Sequence, residues 1–400
     1  MREVAALLSI EEAQRLILER VRPLEAEAVA LDLAAGRVLA EPARSRVDLP
    51  PFDSSAMDGF AVRSGDTPGR LPVSERIPAG KPAGRPLEPG EAMGIATGGT
   101  VPEGADAVIQ LEAVADYGNV IEITEAVPAG ANIRPRGGDL PLGDVFVDSG
   151  QLLGPAQIGA LAAAGVSEVS CFRRPGAAVL ATGTELRRPG ETLEPGQIYE
   201  ANTALLAAQL RSAGAEVELL AAVEDDEAAH RAALEAGLRG DVLVTSGGVS
   251  VGPHDLVRSV GAGLGVEEVF WGVAVKPGKP LWFGVRERTL VFGLPGNPVS
   301  ALVGFEIFVR PALLALQGGT DPLPRFDPGR LAHAVRPNPA RTELMRARSA
   351  VTGSSVELEV LTGQDSHMIA RAAGADVLVL IPPGTDELPA GAAVSYLRLA

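Results

Sequence analysis

Apolar residues recur at helical spacing near the start of the chain, in Ile10-Glu-Glu-Ala-Gln-Arg-Leu-Ile-Leu, and residues 1–45 read as helix. Ser9 precedes this run with Glu12 three residues on, the pattern of a capping box. From about residue 49 to residue 104 the periodicity breaks up. Proline and glycine interrupt short apolar pieces at 92–96 and 107–111, which predicts a small irregular β domain. Residues 151–165 return to a helix that ends at Gly165.

The texture changes at about Arg173. Short apolar runs at 177–181, 217–223, 241–245, 269–275, 281–285 and 290–293 are interleaved with helical stretches at 201–212, 227–238, 255–262 and 298–316. Strands alternating with helices of that length imply a parallel sheet covered on both faces. After Gly318 short alternating strands return, clearest at 356–361 and 377–381. The expected layout is α/β, with a central doubly wound, mostly parallel sheet at 173–320. Around it stand a helical linker domain of residues 1–48 and 140–172, an irregular β domain at 49–139 and a small β domain at 321–400.

Composition narrows the function classes. Hydrophobic residues make up 46% of the 400 positions and charged residues 22%, ordinary for a globular protein. Aromatics are only 4%, so the core must rest on Ala, Val and Leu. No run of 18 apolar residues occurs, so no membrane span is expected. The acidic start lacks the signature of a secretion signal, and the chain is expected to be cytoplasmic. The single cysteine, Cys171, excludes internal disulfides and multi-cysteine metal sites, and reads as a half-buried strand residue. A net charge of −16 argues against binding nucleic acid or an anionic membrane. It leaves open a small anion held by local charge. Only Lys81, Lys276 and Lys279 among 35 basic residues are lysine, and two of them share the tetrapeptide KPGK. Lysine supplies a compact point charge where arginine supplies a planar fork.

In an open α/β sheet, ligands lie beyond the carboxyl ends of the strands. The segments there are TGTELRRPG after 177–181, SGGVSVGPHD after 241–245, KPGKP near Val275, and LPGNPVSA after 290–293. Ser246–Gly252 offers successive backbone N–H groups and the hydroxyls of Ser246 and Ser250, ahead of a helix N-terminus that favours an anion. It lacks the Gly-Lys-Ser/Thr ending of a nucleotide-triphosphate loop. Asp255 either caps the following helix or binds a cation. Glu185, Asp225 and Asp226 follow strands on the same edge, and a few carboxylates beside a phosphate suit Mg²⁺. Alternatively, Asp225 and Asp226 form only a polar turn and helix start. Asn297 stands where it can cap a helix opened by Pro298. Outside this domain, PFDSSAMDGFAV, TGGTVPEGADAV and NIRPRGGDL are polar loops shaped for a partner surface.

These motifs, in this order and together with PGQIYEAN, VKPGKPL and LPGNPVSALVGFE, resemble the molybdopterin molybdenumtransferase family, which includes bacterial MoeA and the E domain of gephyrin. The resemblance implies a molybdopterin-binding central domain and a small C-terminal β-barrel. It implies that adenylylated molybdopterin binds, molybdate enters at the dithiolene, and a Mg²⁺-assisted hydrolysis releases AMP and molybdenum cofactor. It also implies a homodimer with a shared active site, in which Asp58, Thr97 and Asp139 reach the cleft from the partner subunit. By the same resemblance, Glu185, Asp225 and Asp255 serve metal or pterin binding, and Ser246, Gly247, Gly248 and Ser250 cradle the pterin phosphate. Lys276 and Lys279 hold phosphate and molybdate, Pro295 and Pro298 shape the pocket, and Arg341 or Arg346 with Ser366 completes the molybdate site. Transient contact with the adenylyltransferase and with molybdoenzyme chaperones is the matching expectation for protein partners. Thr184, where the family often carries Asp, and Gly138, in place of a commonly acidic residue, are departures; His254 stands where the family varies. Two other readings remain at this point: a molybdopterin adenylyltransferase, and a non-catalytic scaffold.

Overall fold

The computed structural model describes residues 7–78, 80–223, 226–248 and 256–399. Contacts divide the chain into two units, one of Met1–Glu27, Gly36–Val38 and Phe172–Ala400, the other of Ala28–Ala35 and Leu39–Cys171.

In the first unit, helix Ile10–Leu18 opens on the expected capping box: the Glu12 N–H donates to Ser9 Oγ at 3.0 Å and the Ser9 N–H to Glu12 Oε2 at 2.8 Å. The expectation of helix across 1–45 is wrong. The helix stops at Leu18, and beyond Pro23, which has no N–H to give a helix, Ala26–Ala30 is a strand. Ile10, Ala13 and Ile17 are buried in the same core as the central sheet.

That sheet has six strands: β1 (Gly176–Ala181), β2 (Glu216–Leu219), β3 (Val242–Ser246), β4 (Glu267–Trp271), β5 (Trp282–Arg286) and β6 (Thr289–Leu294), in the order β2-β1-β3-β6-β5-β4. The first four in that order run parallel. β5 runs antiparallel to both of its neighbours. Alternate residues enter different cores, as a two-residue side-chain period requires. Val179, Val244 and Phe292 face one cluster, and Leu180, Leu243 and Val291 the other. Helices therefore cover both faces, as the near-continuous apolar strands predicted. The stretch Pro298–Leu316 is long and apolar, but most of it is buried in the protein core. Its Glu306 and Arg310 neutralise each other at 2.6 Å, with Gln209 Nε2 donating to the same carboxylate.

At the carboxyl end of the chain, Thr342–Thr352 pairs with both Ser355–Val360 and Val377–Ile381. With Asp327–Leu331 and Ala393–Arg398 this closes a five-stranded barrel around Leu331, Met345, Leu358, Val379 and Tyr396. The short strand Val275–Lys276 adds to its outside, parallel to Thr342–Thr352. This ladder ties the KPGKP loop to the barrel.

The second unit holds a six-stranded sheet in the order Ala107–Gln110, Gly59–Val62, Ala92–Ile95, Gly69–Ile77, Val120–Ile123, Ala115–Asp116. A Cβ on Gly59 would stand 1.9 Å from the Ile109 carbonyl oxygen, so only glycine lets these two strands pair. A separate cluster joins Val29, Leu39 and Ala43 to Val147, Leu161 and Val169, with helix Pro155–Ala163 beside it and Cys171 fully buried within it.

Candidate active site

The carboxyl ends of β1, β3 and β6 lie side by side, in the register Ala181, Ser246, Leu294. β1 leads outward to β2, and the chain then returns to β3 on the other side of β1. The connections thus diverge between β1 and β3, where α/β sheets open a crevice. A cavity of about 680 Å³ occupies this edge. Thr182, Glu185, Ser246, Gly247, Gly248, Pro295 and Pro298 line it, as do Asn202, Glu200, Pro280 and His367. KPGKP reaches the same edge because antiparallel β5 starts there, with Trp282 opposite Gly293 of β6.

The turn after β3 needs its glycines. Gly247 and Gly248 have φ of +93° and +63°, and a Cβ on Gly247 would lie 2.7 Å from the Thr182 carbonyl oxygen. The backbone can therefore press against the end of β1 while its amides remain near the cavity. Asn202, in the first turn of helix Asn202–Ser212, clamps this turn to the next one. Its Nδ2 donates to Ser246 Oγ at 2.6 Å and to the Gly296 carbonyl at 2.7 Å. Sequence reading singled out the PGQIYEAN run but gave Asn202 no role. A polar residue opening a helix beside two glycine turns was the available signal.

Glu185 is exposed, and its carboxylate folds back over Gly183. Asn297 occupies the N-cap position of helix Pro298–Gly304 but does not cap it. Its Nδ2 donates to Ser366 Oγ at 2.8 Å, and the Val299 N–H donates to the Ser366 carbonyl at 3.0 Å. Ser366 is thus brought to LPGNP, with its neighbour His367 in the cavity wall.

Arg346 does something other than what was expected of it. It is 1% exposed, and its guanidinium donates to Gln364 Oε1 and the carbonyls of Gly363, Asp365 and Met368. Burial pulls its pKa down. Those donors are spent on the loop that carries Ser366, so Arg346 fixes the loop and presents no fork to an oxyanion. Arg341 is partly buried at the start of the barrel strand, its N–H bonded to Asn338 Oδ1 at 3.0 Å. Lys276 pairs with Glu343 at 2.9 Å, and Lys279 is exposed beside the cavity-lining Pro280. Asp226 caps helix Glu227–Gly237 by accepting the Ala229 N–H at 2.8 Å. Asp225, Ser250 and Asp255 lie outside the described residues.

The second unit gathers the three polar loops by itself. Ile133 and Arg134 pair with Ser55 and Ser54, the Ser55 N–H donates to the Gly99 carbonyl, and the Ala56 N–H to the Asn132 carbonyl. Asp58 Oδ1 accepts the Thr97 N–H at 2.6 Å and its hydroxyl at 3.0 Å. The amide bond first and the hydroxyl second hold the Asp58 carboxyl below its usual range. Asp139 is exposed, with its N–H bonded to the Leu49 carbonyl at 2.9 Å.

Among the described residues no group of three His, Cys, Asp or Glu is arranged around one point. Mg²⁺ needs less, since one or two carboxylates suffice when ligand phosphate and water supply the remaining oxygens. Glu185 and Glu200 line the same cavity and are carboxylates of the kind such an ion takes.

Comparison with known proteins gives three family matches along the chain: the MoeA N-terminal region (domain I and II) at residues 8–165, a probable molybdopterin binding domain at 178–315, and the MoeA C-terminal region (domain IV) at 328–399. Molybdopterin molybdenumtransferase 2 of Mycobacterium tuberculosis is 38% identical over 399 residues, covering 96% of this chain and 97% of that protein. The molybdopterin molybdenumtransferase of Haemophilus influenzae is 40% identical over 320 residues, 78% of each chain. The crystal structure of the molybdopterin biosynthesis MoeA protein of Pyrococcus horikoshii OT3 superposes with a TM-score of 0.85 at 29% identity, covering 98% of this chain and 100% of that one.

Proposed function

The chain belongs to the molybdopterin molybdenumtransferase family and acts in molybdenum cofactor biosynthesis, and we propose that it inserts molybdate into adenylylated molybdopterin while the adenylyl bond is hydrolysed and AMP leaves. The observation that carries this reading is the gathering of Ser246, Gly247, Gly248, Pro295, Pro298 and Glu185 around one cavity at the carboxyl edge of the sheet.

The Gly247–Gly248 turn receives the pterin phosphate, because successive backbone amides and the Ser246 hydroxyl give directed donors to a tetrahedral anion. Asn202 keeps those donors in place by holding Ser246 and Gly296 together. The ammonium groups of Lys276 and Lys279 attract phosphate and molybdate, both tetrahedral oxyanions that need no bidentate fork. Glu185, with Asp225 and Asp255, would hold Mg²⁺, which when bound neutralises charge on the phosphoanhydride. The protein works as a homodimer in this reading, with Asp58, Thr97 and Asp139 supplied by the second copy.

Incubation with adenylylated molybdopterin, Mg²⁺ and molybdate should release AMP in proportion to cofactor formed. AMP release without cofactor, or no AMP release at all, rejects the reading.

A further inference from the structure

Pro311 interrupts the long helix Pro298–Leu316. Proline has no N–H to donate, and its ring presses on the carbonyl four residues back, that of Ile307. The chain widens into a π turn at Phe305–Val309, where the Arg310 N–H donates to the Phe305 carbonyl, five residues back. The Ile307 carbonyl takes its hydrogen bond from outside the helix, from buried Gln14 Nε2 at 2.9 Å. From helix Asn202–Ser212, Gln209 Nε2 donates to the Leu302 carbonyl at 3.2 Å and to Glu306 Oε1 at 2.7 Å. Arg310 donates to the same carboxylate at 2.6 and 3.0 Å, and to Ser212 Oγ at 3.0 Å.

Gln209 shares its helix with Asn202, which stands about two turns earlier on the same face. Asn202 donates to Ser246 and Gly296 at the cavity. Both amides aim their nitrogen at the chain between Gly296 and Glu306, and among the described residues neither buried oxygen has a partner. Reversed, each amide would set its oxygen against a carbonyl or a carboxylate, so that stretch of chain dictates both orientations. An unpaired buried acceptor costs stability, and a cost borne twice along one helix serves to fix a geometry.

We propose that Gln209, acting through Glu306, is a positioning residue for the cavity: the two hold the π turn, and the π turn sets where helix Pro298–Gly304 places its first residues. The inference rests on the reading above for what the cavity binds. One residue more or less in a helical turn moves the helix end by about 1.5 Å and rotates it by about 100°. Such a shift would carry Pro295 and Pro298 in the cavity wall, together with Ser366, which Asn297 and Val299 hold. The Glu306–Arg310 pair suits this role. Desolvation offsets most of the attraction in a buried pair, which leaves geometry as its contribution.

Two variants of the full-length protein test this. Gln209→Met keeps the side-chain length and removes the amide. Glu306→Met combined with Arg310→Met replaces the ion pair with apolar groups of similar size, so no buried charge is stranded. Each should keep the wild-type melting midpoint. Amide hydrogen exchange between residues 296 and 304 should quicken about ten-fold, and calorimetry should show about ten-fold weaker binding of molybdopterin. With adenylylated molybdopterin, KM should rise by a similar factor while kcat changes less than about three-fold, the mark of lost binding that is equal in ground and transition states. Wild-type exchange and affinity in these variants overturn the proposal. So does a lowered midpoint with faster exchange throughout the central domain, which marks a merely structural role. If the wild type releases no AMP, the proposed reaction falls, and exchange with molybdopterin affinity still decides the positioning role.

Discussion

Lys276 sits directly across a two-residue parallel ladder from Glu343, its Nζ 2.9 Å from a carboxylate whose side chain is 4% exposed. The ladder joins the KPGKP loop of the central domain to the first long strand of the barrel. Lys276 itself is 41% exposed, so its ammonium keeps an open side while neutralising a buried acid. One lysine thus holds the loop in register and leaves donors for an anion.

This pairing predicts a split between stability and activity. Lys276→Ala strands the Glu343 charge and should cost about 1–3 kcal/mol, at the low side of values for buried pairs because Lys276 is half in solvent. Combining Lys276→Ala with Glu343→Gln should restore most of that stability, read by chemical denaturation, without restoring cofactor synthesis. Full activity in the double variant would show that Lys276 serves only the ladder.

Asp58 should act as a carboxylate across the whole working range. Its bonds from the Thr97 N–H and hydroxyl lower its pKa, so the charged form persists below the ordinary carboxylate value of about 4. Asp58→Asn should reduce cofactor synthesis on the order of 100-fold with no change in melting midpoint. Thr97→Val, which removes only the hydroxyl bond, should move the acidic limb of the pH–rate profile toward higher pH.

The amino edge of the sheet predicts an acid-sensitive contact. Asp241 is partly buried, and burial alone would raise its pKa. The paired bonds from Arg173 at 2.7 Å and the Gly176 N–H outweigh that, leaving the carboxyl below its usual range. A depressed folded-state pKa contributes stability above the unfolded value, near 4, that is lost as pH falls through the folded one. Asp241→Asn should therefore be less stable than wild type at pH 7 by about 1 kcal/mol, modest because Arg173 is 36% exposed. The two stability curves should converge below pH 4.

Arg346 should behave as a fastener of the cavity wall. Arg346→Met leaves the Gly363, Asp365 and Met368 carbonyls without their shared donor, and should cost about 2–4 kcal/mol. Proteolysis of the variant should begin within 363–368. Stable protein with this loop uncut would contradict the assignment.

The sequence determined what is local or periodic. Ser9 and Glu12 form their capping box because three-residue spacing is enough to bring them together. The apolar runs at Val242–Ser246 and Thr289–Leu294 specify buried strands, and the glycines and prolines that follow leave those strand ends open to a ligand. It failed at residues 19–45, where short-range helical spacing was extended past Pro23 into the strand Ala26–Ala30. Only the tertiary structure decided which polar groups remain free for chemistry. Glu343 takes one donor of Lys276 and leaves its exposed side open, four oxygens of a loop claim Arg346, and Asn297 reaches Ser366 in place of its own helix. Those partners lie far along the chain, and a hydrogen bond depends on ångström distances that residue type and spacing do not encode.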